Sequence, residues 1–333
     1  MFKMGCKMAL KQEVLHILEE MRGKSISGEE MAVRLSVSRN AVWKAIKSLQ
    51  ADGVEIEAGT NRGYCLSENS DYLTEQGILR YLQAPEVPVA ITVYEKVSST
   101  NTVLKEAAEQ GGAEGMVAIA REQTDGKGRR GRSFYSPRSG SLYMSILLRP
   151  DFPMEHALLI TTAAAVAVAR AVEETSGKET AIKWVNDVFA ADKKICGILT
   201  EAVVDMETGY PSYAVLGIGI DIYPPKEGIP KELSDIVGTI FHTPGEGGGN
   251  YGDKLAAKVI EHFFSYYKAL PETVFMEEYR KRSFLIGRQV TYLSGNSEKK
   301  VKVVGIDDAA GLIVETETGD RLTLDSGEVS VKF

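Results

Sequence analysis

Apolar positions recur along this chain at two spacings, helical and extended, and where the spacing changes the chain divides into three parts. Near the start Val14, Leu15, Ile17, Leu18 and Met21 share one helical face, stopped at Gly23. Ser27 stands three residues before Glu30, a capping-box spacing that opens a second short helix with Met31 and Leu35 turned inward. Val37 marks a tight turn, Ser38 caps a third helix, and Ala41, Val42, Ala45, Ile46 and Leu49 form its buried stripe. Two short helices joined so tightly read as a helix-turn-helix. Past Gly53 the spacing shortens, and extended runs at 54–57 and 63–66 flank Gly59-Thr60-Asn61-Arg62 as a β-wing. Residues 1–70 are therefore expected to form a winged helix-turn-helix domain.

The second part, residues 71–284, mixes both spacings. A connector over 67–84 carries one helical piece at 74–82 that ends before Pro85. Extended runs at 90–97, 116–120, 141–149, 180–185, 195–204 and 213–220 are interleaved with an amphipathic helix bearing Val103, Leu104, Ala107 and Ala108, and with a long Ala-rich helix at 155–174. Asn186-Asp187 and Asp192-Lys193-Lys194 read as a turn region between two of those runs. The pattern predicts an α+β domain built on a mixed sheet. A Pro- and Gly-rich loop over 222–251 and helices at 254–270 and 273–282 complete it. In the third part, 285–333, only short extended runs remain, at 289–293, 300–306, 311–315, 321–324 and 328–332, with turns such as Ser294-Gly295-Asn296 between them. This predicts a small β-barrel domain.

Composition removes several classes of function. A length of 333 residues suffices for two or three domains with real cores. Cys6, Cys65 and Cys196 are odd in number and far apart, and His16, His156, His242 and His262 are scattered, which argues against a disulfide framework and a zinc site. No apolar run looks long and uncharged enough to span a bilayer, and the first residues do not form a secretory h-region, so a cytoplasmic protein without a membrane partner is expected. The formal charge of −7 confines any nucleic-acid role to a local surface. Residues 1–70 hold ten Lys and Arg against nine Asp and Glu, so charge alone does not demand DNA, and a winged helix used for protein contacts is the alternative. Favouring DNA, Ser38, Arg39, Asn40, Trp43, Lys44 and Lys47 lie at the start or on the polar side of the third helix, with Arg62 near the wing tip. Arg reads guanine edges, Asn reads adenine edges and Lys suits phosphates.

The most unusual stretch is Gly126-Lys127-Gly128-Arg129-Arg130-Gly131-Arg132, three glycines and four cations in seven residues. Glycine lets backbone approach a ligand closely, and Arg and Lys supply charge, so the loop suits a phosphate or another anion; otherwise it is a basic hairpin tip. Residues 126–131 match G-x-G-x-x-G, yet Ser133-Phe134-Tyr135-Ser136-Pro137 does not open the helix a dinucleotide fold requires. The Gly-Lys-Ser/Thr ending of a P-loop is absent as well. Two further groups carry candidate chemistry. Ser98-Ser99-Thr100-Asn101 caps the following helix and offers hydroxyls and an amide to a polar ligand; Lys183, Asn186, Asp187 and Lys194 combine cations with a carboxylate suited to Mg2+.

Together these pieces resemble the family of bifunctional biotin–protein ligases that also repress biotin synthesis. The resemblance runs, in family order, through 27–46, Ser98-Ser99-Thr100-Asn101, the 126–132 loop, Lys183-Trp184-Val185-Asn186-Asp187, Lys194-Ile195-Cys196-Gly197-Ile198-Leu199 and Gly217-Ile218-Gly219-Ile220-Asp221. Val185 stands where the family often has Pro, and Asp221 where it often has Asn. The resemblance implies formation of biotinyl-5'-AMP from biotin and ATP, then transfer of biotin to a lysine of a carrier domain. It also implies repression by a ligand-loaded homodimer on operator DNA, and an SH3-like module at the C-terminus. It puts catalysis on Arg129, Lys183 and Lys194, and biotin contacts on Ser99, Thr100, Asn101, Gln123, Lys127, Gly128, Arg129 and Lys194. ATP or adenylate contacts fall on Gly126, Arg130, Gly131, Arg132, Lys183, Asn186 and Asp187, with Mg2+ shared among phosphates and Asn186 or Asp187. The chemistry is consistent with few histidines: a carboxylate is ionised at neutral pH and needs no base to become a nucleophile. Two other readings stand beside it, a lipoate–protein ligase-like enzyme and a non-catalytic transcription factor that senses a small anion.

Overall fold

The computed structural model describes residues 10–59, 62–83, 87–294, 297–325 and 328–330. Cys6, the wing-tip residues Thr60 and Asn61, Pro85, the turn residues Gly295 and Asn296, and the end of the last expected strand lie outside the described residues. The chain separates into two compact units, one of residues 1–81 with 247–254, the other of 82–246 with 255–333.

In the first unit, α1 (Leu10–Glu20), α2 (Gly28–Arg34) and α3 (Arg39–Ala51) precede a hairpin of β1 (Ile56–Gly59) and β2 (Gly63–Leu66), then α4 (Glu75–Tyr81). Ser27 accepts from the Glu30 amide and Ser38 from the Ala41 amide, so both helices start at their expected caps. Val14, Ile17, Leu18, Met31, Val42, Ile46 and Leu49 close over one another with Ile56 and Leu66 from the wing. A buried polar knot holds the unit at its other end. Glu19 is 1% exposed and takes Arg22 on both oxygens, at 2.6 and 3.0 Å, while Asp253 accepts from the Thr74 amide. Carboxyl groups so deeply buried are tolerated because Glu19 is paired with Arg22 and Asp253 is hydrogen-bonded to Thr74.

The second unit is built on a seven-stranded mixed sheet. Its strands are β3 (Ala90–Tyr94), β4 (Met116–Ala120), β5 (Ser141–Leu148), β6 (Ala181–Lys183), β7 (Asp187–Ala190), β8 (Lys193–Val204) and β9 (Pro211–Asp221), with α5 (Thr100–Glu109) and α6 (Leu158–Ser176) between them. The sheet order is β3-β4-β5-β9-β8-β7-β6, parallel only between β3 and β4. β5 and β9 are buried along nearly their whole length, hence their near-continuous apolar runs. α5 packs Leu104 and Ala108 against Ala118, Leu147 and Val215. Two expectations need correction. The turn region expected at 186–194 contains a strand: Asp187–Ala190 pairs on both sides, with β6 and with β8. α6 meets the length and hydropathy of a membrane span, contrary to the expectation that no run would, but 78% of that window is buried in the protein, so it is a core helix.

α7 (Tyr251–Tyr267) and α8 (Met276–Arg282) lead to the third part, where β10 (Gln289–Ser294), β11 (Ser297–Ile306), β12 (Leu312–Thr316), β13 (Arg321–Leu324) and β14 (Glu328–Ser330) form one antiparallel sheet in the order β13-β12-β11-β10-β14. The arrangement is SH3-like, but among the described residues no pairing of β13 with β14 closes the expected barrel. This module is fastened to the seven-stranded sheet by Trp184, whose indole donates to the Ala310 carbonyl at 2.8 Å, and by Arg280, which donates to the Ile306 carbonyl at 2.7 Å.

Candidate functional site

The floor of the site is made where α5 begins. Ser99 occupies the cap position, but its side chain makes no capping bond, which corrects the expectation that this polar run caps the helix. Its neighbours join a chain of hydrogen bonds instead. The Thr100 amide and hydroxyl both donate to Gln123 Oε1, at 2.8 and 3.1 Å, and Gln123 Nε2 donates to Ser136 Oγ at 3.1 Å. Ser136 in turn donates to the Phe134 carbonyl. On the other side, the fully buried Ser145 hydroxyl lies 2.6 Å from both Thr100 Oγ1 and Asn101 Oδ1, and Asn101 Nδ2 donates to Glu201 Oε2 at 2.7 Å. Strands can host these side chains only where they lack their own. A Cβ on Gly217 would collide with the Asn101 amide, and Cβ atoms on the paired Gly197 and Gly219 would press on the Phe134 ring.

The basic stretch is a hairpin. Gly128 N donates to the Arg132 carbonyl and Phe134 N to the Gly126 carbonyl, each at 2.7 Å, and a single 3-10 turn, Arg129–Gly131, closes the end with Arg130 at φ 57°. Strand, hairpin and strand follow one another with no helix behind the loop, as Pro137 suggests. Gly126 is packed against the Phe134 carbonyl and the Ser136 hydroxyl; its missing side chain serves the hairpin's own packing.

Two adjoining cavities open between hairpin and sheet. The first is lined by all eight residues assigned to biotin, Ser99, Thr100, Asn101, Gln123, Lys127, Gly128, Arg129 and Lys194. The second is lined by Arg130, Arg132, Lys183, Asn186 and Asp187 of the group assigned to ATP, but not by Gly126 or Gly131. Gly128, Arg129, Phe134, Asn186 and Lys194 border both. At that border Arg129 donates to Asn186 Oδ1 at 3.2 Å, Asn186 Nδ2 donates to the Ile198 carbonyl, and Lys194 Nζ lies 2.7 Å from Asp187 Oδ1. Phe134, Tyr143, Ser145, Glu201 and the glycine floor were given no role from sequence. A lone Ser in one apolar run and a lone Glu inside another were the only signals.

Charge at the site is uneven. Burial opposes ionisation of Glu201, yet hydrogen bonds from Asn101 and Lys105, with Lys127 nearby, hold its carboxyl below the usual range. Asp221 is the reverse: burial raises its carboxyl to about 7, against the opposing effects of the Ser141 hydroxyl and Lys194. Below the ordinary aspartate value of 3.8 both folded and unfolded chains carry the proton. Between there and about 7 the unfolded chain ionises first, so stability falls as pH rises and levels off above 7. Asp221→Asn is therefore expected to gain roughly 1–3 kcal/mol over the parent at pH 8 and nearly nothing at pH 4. Urea unfolding at the two pH values measures this, and a parallel offset at both would remove the assignment.

In the first unit the groove between α3 and the wing is lined by Arg39, Asn40 and Trp43 with Gly59, Gly63 and Tyr64. Arg39 is 74% exposed and reaches only a weak ion pair with Glu29 at 3.8 Å. Lys44, Lys47 and Arg62 are exposed too, whereas the Ser38 hydroxyl is committed to its cap.

A mixed sheet whose glycine floor and basic hairpin enclose two joined cavities defines a protein ligase of the biotin/lipoate class. Residues 93–221 match the Biotin/lipoate A/B protein ligase family, 11–65 an HTH domain and 285–332 the Biotin protein ligase C terminal domain. The chain is 31% identical over 319 residues to the bifunctional ligase/repressor BirA of Bacillus subtilis, covering 93% of this chain and 95% of that one. It is 27% identical to that of Escherichia coli, covering 93% and 94%. Among solved structures, the biotin protein ligase from Aquifex aeolicus in complex with biotin and ATP is similar at 27% identity and a TM-score of 0.60, over 72% of this chain and 97% of that one. The chain belongs to the bifunctional biotin ligase/repressor family.

Proposed function

We propose that this protein joins biotin to AMP and transfers the biotinyl group to a lysine of a biotin carrier domain of a biotin-dependent carboxylase, and that the adenylate-loaded form represses biotin synthesis genes. The observation that carries the enzymatic reading is the pair of cavities meeting at Arg129 and Lys194. In the first step a biotin carboxylate oxygen bonds to the α-phosphorus of ATP and pyrophosphate leaves. Two anions must be brought together, and that is what cations fixed at the shared border accomplish before the reaction begins. Lys183, Arg130 and Arg132 face the nucleotide side. In the second step the acceptor amine takes the acyl carbon and AMP leaves. The ureido ring of biotin offers two donors and an acceptor, which the hydroxyl and amide groups of Ser99, Thr100, Asn101 and Gln123 match. Of the two proposed Mg2+ ligands, Asn186 has its oxygen occupied by Arg129, so Asp187 is the better donor, paired for now with Lys194. Bound Mg2+ would neutralise phosphate charge, and one carboxylate is enough where phosphates supply the other oxygens.

Biotin-dependent exchange of pyrophosphate into ATP tests this reading. Exchange driven by lipoate instead would favour the lipoate ligase, and none with either acid would leave a sensor without catalysis. The proposed divisions at 70/71 and 284/285, a cytoplasmic location and a ligand-induced homodimer belong to the same reading; a two-fold pair suits half-site recognition of DNA. Arg39→Ala is expected to weaken operator binding about 10- to 100-fold while leaving biotin transfer within about twofold, because one base-edge contact is worth ~1–3 kcal/mol. Gel-shift and transfer assays on the same preparation measure both; a matching loss of transfer would refute separable functions.

A further inference from the structure

The hydrogen-bond chain across the first cavity has a direction, and its two ends fix it. At one end Ser136 donates to the Phe134 carbonyl, which only accepts, so Gln123 must turn its amino group to Ser136 and its oxygen to Thr100. In the middle the Ser145 hydroxyl has one proton and two oxygens at 2.6 Å. Thr100 gives its own hydroxyl proton to Gln123, so Ser145 donates to Thr100 and is left to accept, which alone would favour an Asn101 amino group on that side. Which way round Asn101 sits is decided at its far side. There stands Glu201 on β8, a carboxylate that only accepts, 2.7 Å from Asn101 Nδ2. Lys105 neutralises its other oxygen, and Lys127 of the hairpin lies close enough to favour its charge. Asn101 is 4% exposed, so water cannot restore the lost partner cheaply.

We propose that Glu201 is a positioning residue for the ligand: by accepting from Asn101 it fixes which end of that amide the cavity presents. The proposal rests on the biotin-ligase reading above. Without the carboxylate, Asn101 can turn over, give its amino group to Ser145 and point its oxygen at Lys105. The cavity then offers a ligand the opposite pattern of donor and acceptor at that point. Glu201 lines neither cavity, so its loss acts on recognition of the acid and leaves the phosphoryl chemistry intact.

The test is pyrophosphate exchange by the full chain with Glu201→Gln and Glu201→Ala. The glutamine keeps size and can still accept, but no longer dictates the orientation. Biotin KM is expected to rise about 10-fold for glutamine and toward 100-fold for alanine, with kcat within about twofold and the KM for ATP unchanged. Lys105→Met, which keeps the acceptor, should shift biotin KM less than about threefold. A merely structural glutamate would lower the melting temperature and the active fraction, hence kcat, at constant biotin KM, and that result overturns the proposal. So does a rise in the KM for ATP equal to that for biotin. Absence of biotin-dependent exchange in the unaltered protein is a different failure, of the ligase reading itself.

Discussion

Arg129→Ala loses the adenylate and keeps the fold. Arg129 is the one hairpin cation bordering both cavities, and its guanidinium is already aimed by the bond to Asn186. On the proposed reading it faces the junction where carboxylate and phosphate become one group. A preorganised, charge-assisted donor at such a point contributes about 100- to 1000-fold. Release of biotinyl-AMP after rapid gel filtration should accelerate by that factor. Stability should change by less than ~1 kcal/mol, because the residue is only half-buried on a surface hairpin and lies outside the hydrophobic core. Equal retention by the variant would take the hairpin out of the mechanism. Loss of retention together with a fallen unfolding midpoint would mean that Arg129 braces β6 and β7 more than it holds ligand.

That both cavities could be populated from sequence owes much to how local the signals are. Ser27 and Ser38 lie three residues from the amides they cap, so the helix-turn-helix is legible in a few positions. The basic hairpin is a single run, and the non-helical stretch at 133–137 behind it separates it from a dinucleotide loop. Legibility fails where a residue's role depends on a partner far along the chain. Asp187–Ala190 begins with a turn-like Asn186-Asp187 pair and is only four residues long, so its strand character comes from neighbours on both sides. The open edge of the C-terminal module has the same origin: five short runs are evident, but which edges meet is decided by tertiary packing. Gly126 and Gly131 show the converse. Their composition suggested ligand contact, whereas hairpin geometry already requires glycine, at Gly126 because Phe134 and Ser136 fill the space and at Gly131 because φ is 74°.

Glycines on β9 belong to the class that sequence leaves ambiguous, and one of them carries the second large effect. A glycine inside a strand weakens it, so Gly217 and Gly219 need a compensating reason. At Gly217 the reason is Asn101, whose amide occupies the volume of the missing Cβ. That amide cannot yield, since Ser145 holds one end and Glu201 the other. Gly217→Ala must therefore separate α5 from β9 or expel Asn101 from its bonds. Overpacking of this kind costs ~1–3 kcal/mol, so the variant is expected to fold with a lowered urea midpoint. Biotin binding should fall by more, at least about 100-fold by calorimetry, because displacement of Asn101 breaks the chain through Ser145 and Thr100 and leaves buried polar groups unpaired. ATP binding, on the Lys183 side, should stay within about threefold, since neither Gly217 nor Asn101 lines the second cavity. Tight biotin binding by Gly217→Ala would show that Asn101 moves freely, and the account of a rigid, directional cavity floor would not survive it.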